Sequence, residues 1–282
     1  MIKEIDTALI AEAVKEMSVE ANKVLPKSLT NAVKSDKENE TLPIAKEVME
    51  TIESNISAAK ELGIPVCQDT GMAVVFLKIG QDVHLVGENL TEAVNRGVRE
   101  GYTEGLLRKS VVADPILRKN TEDNTPAVIH TEITPGDQVE ITVAPKGFGS
   151  ENMSRIFMLK PADGRDGVIN AVLTAVEEAG GNPCPPMVIG VGIGGDFEEC
   201  AYLSKKALLR EVGDYNANPY YEELEKELLR KINDTGIGPQ GFGGKTTALF
   251  VAVETFPTHI AGLPVAVNIG CHVTRHITKI IK

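Results

Sequence analysis

Met187-Val188-Ile189-Gly190-Val191-Gly192-Ile193-Gly194-Gly195-Asp196 is the stretch on which the fold class turns. It begins as an apolar run of strand length, Met187–Val191, and its glycines match the G-x-G-x-x-G pattern that opens a dinucleotide-binding βαβ unit. Two features reject that match. Asp196, Glu198 and Glu199 crowd the first turn of the following helix, where their charge repels a pyrophosphate from the helix N-terminus. No second strand ending in an acid follows at the required distance, because the chain continues into the polar loop Gly213–Asn218. The glycines then serve close packing of a strand against a helix over Asp196–Leu209, which opens with an Asp196…Glu199 capping-box pattern. The chain reads as α+β, not as a regular βαβ series.

Upstream, residues 1–63 read as helical. Ile5, Leu9, Ile10, Ala13 and Val14 recur at helical spacing, and Thr41 precedes a second amphipathic run through Ile44, Val48, Met49, Ile52 and Ile56 that Gly63 closes. The polar segment 34–39 between them is expected to be a loop. From residue 64 the pattern is mixed. Strands are expected at Ala73–Ile79, Leu249–Val253 and Val265–Ile269, and helices at Thr91–Leu107, Val168–Val176 and Pro219–Asn233. Ala127–Ile133 and Gln138–Ala144 alternate in polarity about Thr134-Pro135-Gly136-Asp137, which predicts a β-hairpin. The expectation is a helical N-terminal region, 1–63, and a mixed α/β region with a β-hairpin and short strands, 64–282, in one compact domain.

Lys+Arg 29 against Asp+Glu 40 gives a net charge of −11, which argues against nucleic acid or an anionic membrane as partner. No run approaches the ~18 apolar residues of a membrane span. The N-terminus has early acids and no signal-peptide apolar region, so a cytoplasmic, reducing compartment is expected, where loop cysteines serve as ligands or nucleophiles rather than disulfides. Gly243-Gly244-Lys245-Thr246 resembles the end of a P-loop, but Pro239 stands where the pattern needs glycine and a charged helix precedes it. That leaves a nest of main-chain N–H groups for an anion or a tight turn, both open at this stage.

Three of the four cysteines lie in Pro/Gly-rich loops. These are Cys67 in Ile64-Pro65-Val66-Cys67-Gln68-Asp69-Thr70-Gly71, Cys184 in Gly180-Gly181-Asn182-Pro183-Cys184-Pro185-Pro186, and Cys271 in Asn268-Ile269-Gly270-Cys271-His272. Cys200 falls on the apolar side of a helix and reads as core. Three loop thiolates meeting at one place can hold a metal centre with a position left open for chemistry, whereas the absence of any C-x-x-C pair leaves unrelated buried thiols as an alternative. His259, just beyond an apolar strand, is a candidate for acid–base work, and His272 for supporting a metal ligand from behind.

Pro65–Gly71, Lys146-Gly147-Phe148-Gly149-Ser150-Glu151-Asn152, Asn182–Pro186 and His259…Cys271, in that order, resemble the class I iron–sulfur fumarate hydratases. The likeness is to the separate α subunit of their two-subunit form, with the L(+)-tartrate dehydratase α subunit a close relative. It covers the chain from about residue 40 onward. The resemblance implies that Cys67, Cys184 and Cys271 ligate a [4Fe–4S] cluster whose open iron binds substrate. It implies catalytic roles for Asp69 and His259, and substrate contacts from Gln68, Arg108 and the main chain of Gly149. Reversible hydration of fumarate to (S)-malate, a step of the tricarboxylic acid cycle, is the implied reaction. Dehydration of L(+)-tartrate, or a cluster-carrying subunit without turnover, are the alternatives. Since the sequence stops soon after the third cysteine, the family's second domain is expected on a β subunit, in a hetero-oligomer acting on a small dicarboxylate.

Overall fold

The structure, a computed structural model, describes residues 2–282. In chain order the first elements are β1 (Lys3–Asp6), α1 (Thr7–Lys23), α2 (Lys27–Asn39), α3 (Pro43–Leu62), β2 (Met72–Gly80), β3 (Val83–Val86) and α4 (Leu90–Glu104). Next come β4 (Val128–Thr134), β5 (Val139–Lys146), the single turn α5 (Phe148–Glu151), β6 (Arg155–Leu159) and α6 (Gly164–Ala179). The remainder is β7 (Met187–Gly194), α7 (Phe197–Ala207), α8 (Pro219–Asn233), β8 (Ala248–Phe256), β9 (Leu263–Gly270) and β10 (Ile277–Ile281). The fold is α+β. Among the described residues no helix is long and apolar enough to cross a membrane.

The chain forms two compact units that interleave in sequence. The first takes the residues up to Leu25, Ala58–Phe148 and Arg275–Lys282, and the second takes Pro26–Ser57 and Gly149–Thr274. None of the four boundaries falls at residue 63, because the N-terminal helices are shared out: α1 belongs to the first unit and α2 to the second.

The first unit is built on a four-stranded sheet of order β10-β5-β2-β4. The hairpin expected from β4 and β5 does not form. β2, apolar along nearly its whole length and almost wholly buried, inserts between them, parallel to β4 and antiparallel to β5. The intervening turn instead receives the end of β2: Gly80 N donates to Gln138 O at 2.9 Å and Gln81 N to Thr134 O at 2.7 Å. The local turn chemistry was right, but a more hydrophobic strand competed for the central position. Residues 3–6, read as helical, are a short strand paired with β3, and Asp6 caps α1 from outside by accepting from Ala8 N. α1 and α4 pack against each other through glycines: a Cβ on Gly97 would lie 2.3 Å from Ala11 O, and one on Gly101 2.8 Å from Lys15 O.

In the second unit the sheet order is β6-β9-β7-β8. β7 carries the decisive stretch, and its alternation has a simple physical meaning. Ile189, Val191 and Ile193 point to a core shared with α6 and α8, including Val172, Val176, Leu224, Leu228 and Ile232. Gly190 and Gly192 leave the other face bare, and α7 lies directly on it. A Cβ at either glycine would come within 2.1 Å of a helix carbonyl, Ser204 O or Cys200 O. Asp196 caps α7 by accepting from Glu198 N and Glu199 N, and Cys200 is fully buried. α8 is tied to β8 by the buried carboxylate of Glu225, which accepts from Val253 N at 2.7 Å, Asn216 N at 2.8 Å and Arg210 Nη1 at 2.7 Å.

The segment 34–39 is helical, contrary to the loop expected. α2 buries only Leu29 and Val33, so its polar composition reflects a solvated face, and its end is anchored by Glu40. The Glu40 carboxylate accepts from Lys245 N at 3.0 Å and Thr246 N at 2.7 Å. The glycine-rich nest, a candidate site for an external anion, is therefore filled by the chain's own acid. Asp36, one helical turn before Glu40, has its carboxyl pushed up to about 6 by burial and by the charge of Glu40, against a hydrogen bond from Asn39 that lowers it.

Two outcomes follow from this packing. Gly192→Ala forces a methyl into the α7 backbone and is expected to lower the unfolding free energy by about 1–3 kcal/mol, measured by urea titration. For Asp36 the folded chain binds its proton more tightly than the unfolded chain, so its contribution to stability is complete below about pH 4 and is lost as pH rises through about 6. Asp36→Asn is expected to raise the unfolding free energy at pH 7.5 by about 1 kcal/mol, a figure reduced by partial solvent screening, and to change nothing near pH 4.

Candidate functional site

In the first unit the sequence Cys67-Gln68-Asp69-Thr70-Gly71 forms the bend that leads into β2. Its own Thr70 side chain and three side chains from distant parts of the sequence, Tyr102, Asn124 and Arg275, hold it. The Thr70 hydroxyl accepts from Arg108 N at 2.9 Å and donates to Arg108 O at 3.1 Å. Tyr102, buried in α4, shares its hydroxyl proton between Thr70 O at 2.9 Å and Gly71 O at 3.0 Å. Burial pushes that phenol well above its usual range, against the nearby positive charge of Arg275, so it is a neutral donor. Asn124, also buried, donates to Gly71 O at 3.2 Å, and Arg275, 4 % exposed, donates from Nη2 to Asp69 O at 2.7 Å.

The Asp69 carboxylate is itself oriented by two main-chain donors. Gly71 N reaches one oxygen at 3.0 Å and Phe148 N reaches the other at 2.9 Å. The first residues of the glycine loop are thereby pinned to the cysteine bend, and a Cβ at Gly147 would crowd the same carboxylate at 3.1 Å. The bend leaves Cys67 half-buried and Gln68 exposed, with Arg108 exposed beside it. Cys67, Gln68, Asp69 and Arg108 thus share one face of the first unit. Tyr102 and Asn124 escaped the sequence reading because a tyrosine on an apolar helix face and an asparagine in a polar loop have no distinctive context. Arg275 carried a faint signal only, its place four residues after Cys271.

In the second unit Cys184 and Cys271 come together for a topological reason. Cys184 precedes β7, Cys271 follows β9, and the two strands are antiparallel with Val188 opposite Gly270, so both thiols emerge at the same end of the sheet. His272 bridges them. Its main-chain N donates to Cys184 O at 3.4 Å, and its Nδ1 lies 2.8 Å from the same oxygen. A carbonyl oxygen only accepts, so that contact places the proton on Nδ1. Cys184 is exposed and sits at φ +56°, a left-handed conformation that a non-glycine residue adopts only when its surroundings impose it. Cys200 differs in kind: burial and the nearby acids push its thiol up, as befits an inert core sulfur.

The remaining part of the glycine loop belongs to this unit. Gly149 is exposed, with nothing within 4 Å of where a Cβ would be, so its main chain is open to approach. Glu151 is paired with Lys205 and accepts from Asn268 Nδ2 at 3.2 Å, which fixes the loop to β9. Burial holds the Lys205 amine below its usual range, against the pull of Glu151.

His259 is not part of this cluster. It follows β8, which runs parallel to β7 with Phe256 opposite Gly194, so its loop lies at the other end of the sheet. The eight residues of β7 separate it from Cys184 and Cys271 by roughly 25 Å. Its Nδ1 accepts from Ala261 N at 3.1 Å, closing a local turn at the rim of a cavity of about 390 Å³ that Arg165, Tyr220 and Ile260 also line. Strand direction thus puts His259 at the opposite end of the sheet from Cys184 and Cys271 of its own chain.

Among the described residues no three His, Cys, Asp or Glu side chains are placed to hold a single metal ion. A cluster asks for something different, since each thiolate binds its own iron. Each unit offers free thiols of the kind such a centre takes: half-buried Cys67 in the first, exposed Cys184 and half-buried Cys271 in the second. Soft thiolates select iron–sulfur centres, zinc or copper(I) over hard cations.

Residues 11–280 match the family model described as Fumarate hydratase (Fumerase). A Methanocaldococcus jannaschii protein provisionally named as the α subunit of L(+)-tartrate dehydratase is 41% identical over 97% of this chain and 98% of its own length. The L(+)-tartrate dehydratase α subunits of Escherichia coli K12 and Shigella sonnei are each 34% identical over 91% of this chain and 86% of theirs.

Proposed function

Because the chain belongs to the fumarate hydratase (fumerase) family, whose members named above are hydro-lyases, we propose that it is the α chain of an iron–sulfur hydro-lyase acting on a small dicarboxylate. Cys67, Cys184 and Cys271 would hold a [4Fe–4S] cluster. The observation that carries the reading is the emergence of Cys184 and Cys271 at the same end of the β7–β9 pair, with His272 donating to the carbonyl of Cys184. When bound, the cluster supplies a Lewis-acidic iron for the substrate hydroxyl.

The chain's own residues do the rest of the work assigned here. Arg108, exposed beside the Cys67 bend, offers a planar pair of donors to a substrate carboxylate. Gln68 presents both an amide donor and an acceptor. Asp69 is held in one orientation by its two main-chain bonds, and its oxygens retain capacity to accept from a substrate hydroxyl. The main-chain N–H of Gly149 is a further donor. Removal of the carbon-bound proton is assigned to a β subunit, as the naming of the relatives as α subunits supports. We favour reversible hydration of fumarate to (S)-malate, in keeping with the family's description. L(+)-tartrate dehydration is the second reading, favoured by the names of the relatives. A reducing, cytoplasmic setting suits such a cluster.

Anaerobic iron and sulfide analysis, with fumarate hydration and L(+)-tartrate dehydration assayed on the complex with its β chain, tests the proposal. Cys184→Ser is expected to abolish the visible cluster absorbance, while Cys200→Ser retains it. Cluster loss in the Cys200 variant alone would reverse the ligand assignment. Arg108→Ala is expected to raise KM and lower kcat together, by about 100-fold in kcat/KM, since the guanidinium orients as well as binds. Unchanged kinetics would remove Arg108 from the site.

A further inference from the structure

The loop before Gly243-Gly244-Lys245-Thr246 has found no use so far, yet it lies against the Cys184 bend. Gln240 sits there at φ +52°, ψ +17°, in the left-handed region. Glycine or asparagine is the usual occupant of that conformation, and a glutamine held there is strained. Its main-chain N donates to Pro185 O at 2.8 Å, a bond that any residue would make. What glutamine adds is a side-chain donor. Nε2 reaches the same Pro185 oxygen at 2.7 Å and closes to 3.2 Å from His272 Nδ1. Because Nδ1 is committed to donating to Cys184 O, the amide is left to serve Pro185. Behind it, Gly241 and Gly181 meet backbone to backbone: a Cβ on Gly241 would lie 2.9 Å from Gly181 Cα. Pro185 and Gly181 flank Cys184 on either side, so this loop grips the bend at both shoulders.

We propose that Gln240 is a positioning residue for Cys184: its amide fixes Pro185 O, and with it the strained Cys184 backbone and the His272 ring that donates to the Cys184 carbonyl. The proposal rests on the cluster reading above. Groups behind a metal ligand that hold its orientation are typically worth 10–100-fold in metal affinity or activity. The clamp also borders an open cavity of about 440 Å³ between α3 and this loop, lined by Ile44, Val48, Phe242, Gln240 and His272. Gln240 and His272 thus hold the bend from the wall of that cavity, through their hydrogen bonds to Pro185 O and Cys184 O.

Gln240→Gly separates the two roles of this position. It keeps the main-chain bond to Pro185, removes the left-handed strain and deletes the amide. Gln240→Glu keeps the shape and deletes the donor. The full chain and both variants would be compared, first without cluster for melting temperature and for the alkylation rate of Cys184, then reconstituted anaerobically for the half-life of the cluster absorbance in air. The expected result is a Gln240→Gly chain that melts no lower than wild type, alkylates Cys184 faster, and loses its cluster about tenfold faster; Gln240→Glu loses it faster too. Cluster lifetimes within twofold of wild type, or a melting temperature in Gln240→Gly that falls in step with cluster loss, would overturn the assignment. A wild-type chain that takes up no cluster sinks the cluster reading, and the alkylation rates then decide alone whether Gln240 holds the bend.

Discussion

The antiparallel pairing of β7 with β9 is the constraint on which the larger unit depends. A strand entered from the Cys184 bend and a strand leaving toward Cys271 must run in opposite directions for their outer ends to coincide, and the register that sets Val188 against Gly270 achieves this within a residue or two. The same pairing makes β8, parallel to β7, deliver its following loop to the opposite end, where His259 lies. One choice of strand direction thus joins two thiols and removes a histidine. It also explains why both bends need local reinforcement. A sheet end offers no further ladder to hold the chain, so the conformation of Cys184 is maintained by His272, by the Gly181–Gly241 contact and by Gln240.

The bare face of β7 is the other half of that arrangement. A strand flanked by helices on both sides can carry large side chains on both faces, at a separation near 10 Å, or give up one set for a closer approach. Here Gly190 and Gly192 give up one set, and α7 sits with its carbonyls against the strand. Lys205 on α7 thereby comes close enough to pair with Glu151 of the glycine loop, and Asn268 of β9 completes the contact. The position of the loop is a consequence of strand–helix distance, set two layers away from it.

Much of this was legible beforehand, and the misses have physical causes. The strand–helix meaning of the β7 glycines, the Asp196 cap and the core role of Cys200 could be read because each is a local matter of period and burial. The β4–β5 hairpin could not, since its turn was sound and only the greater hydrophobicity of β2 displaced it. The helical state of 34–39 was hidden because α2 buries two residues alone and its anchor, Glu40, finds partners 205 and 206 residues later. In the candidate site, the loops bearing Cys67, Cys184 and Cys271 announced themselves through proline and glycine. The side chains that hold those loops did not, because Tyr102, Asn124, Gln240 and Arg275 act over sequence distances of 31 to 206 residues. Placing His259 at a distance required strand direction, which periodicity does not encode.

In the proposed function a chain of net charge −11 handles a dicarboxylate, which poses an electrostatic difficulty that the fold meets in part internally. Several of its acids are turned onto main-chain N–H groups that would otherwise invite anions, among them Asp69 on Gly71 and Phe148, Glu40 on Lys245 and Thr246, Asp196 on Glu198 and Glu199, and Glu225 on Asn216 and Val253. Each such pair satisfies main-chain donors and fills a nest that could have trapped phosphate or a stray carboxylate. The remaining acids act at a distance, and beyond about 8 Å at physiological ionic strength their repulsion is largely screened. Recognition of a small dianion then falls to cations within a few ångströms of the cysteine bend. In the proposed function Arg108 takes one carboxylate, so a second carboxylate calls for a further positive charge from elsewhere. That requirement, and not composition as a whole, is the physical reason to expect a cationic surface on the partner.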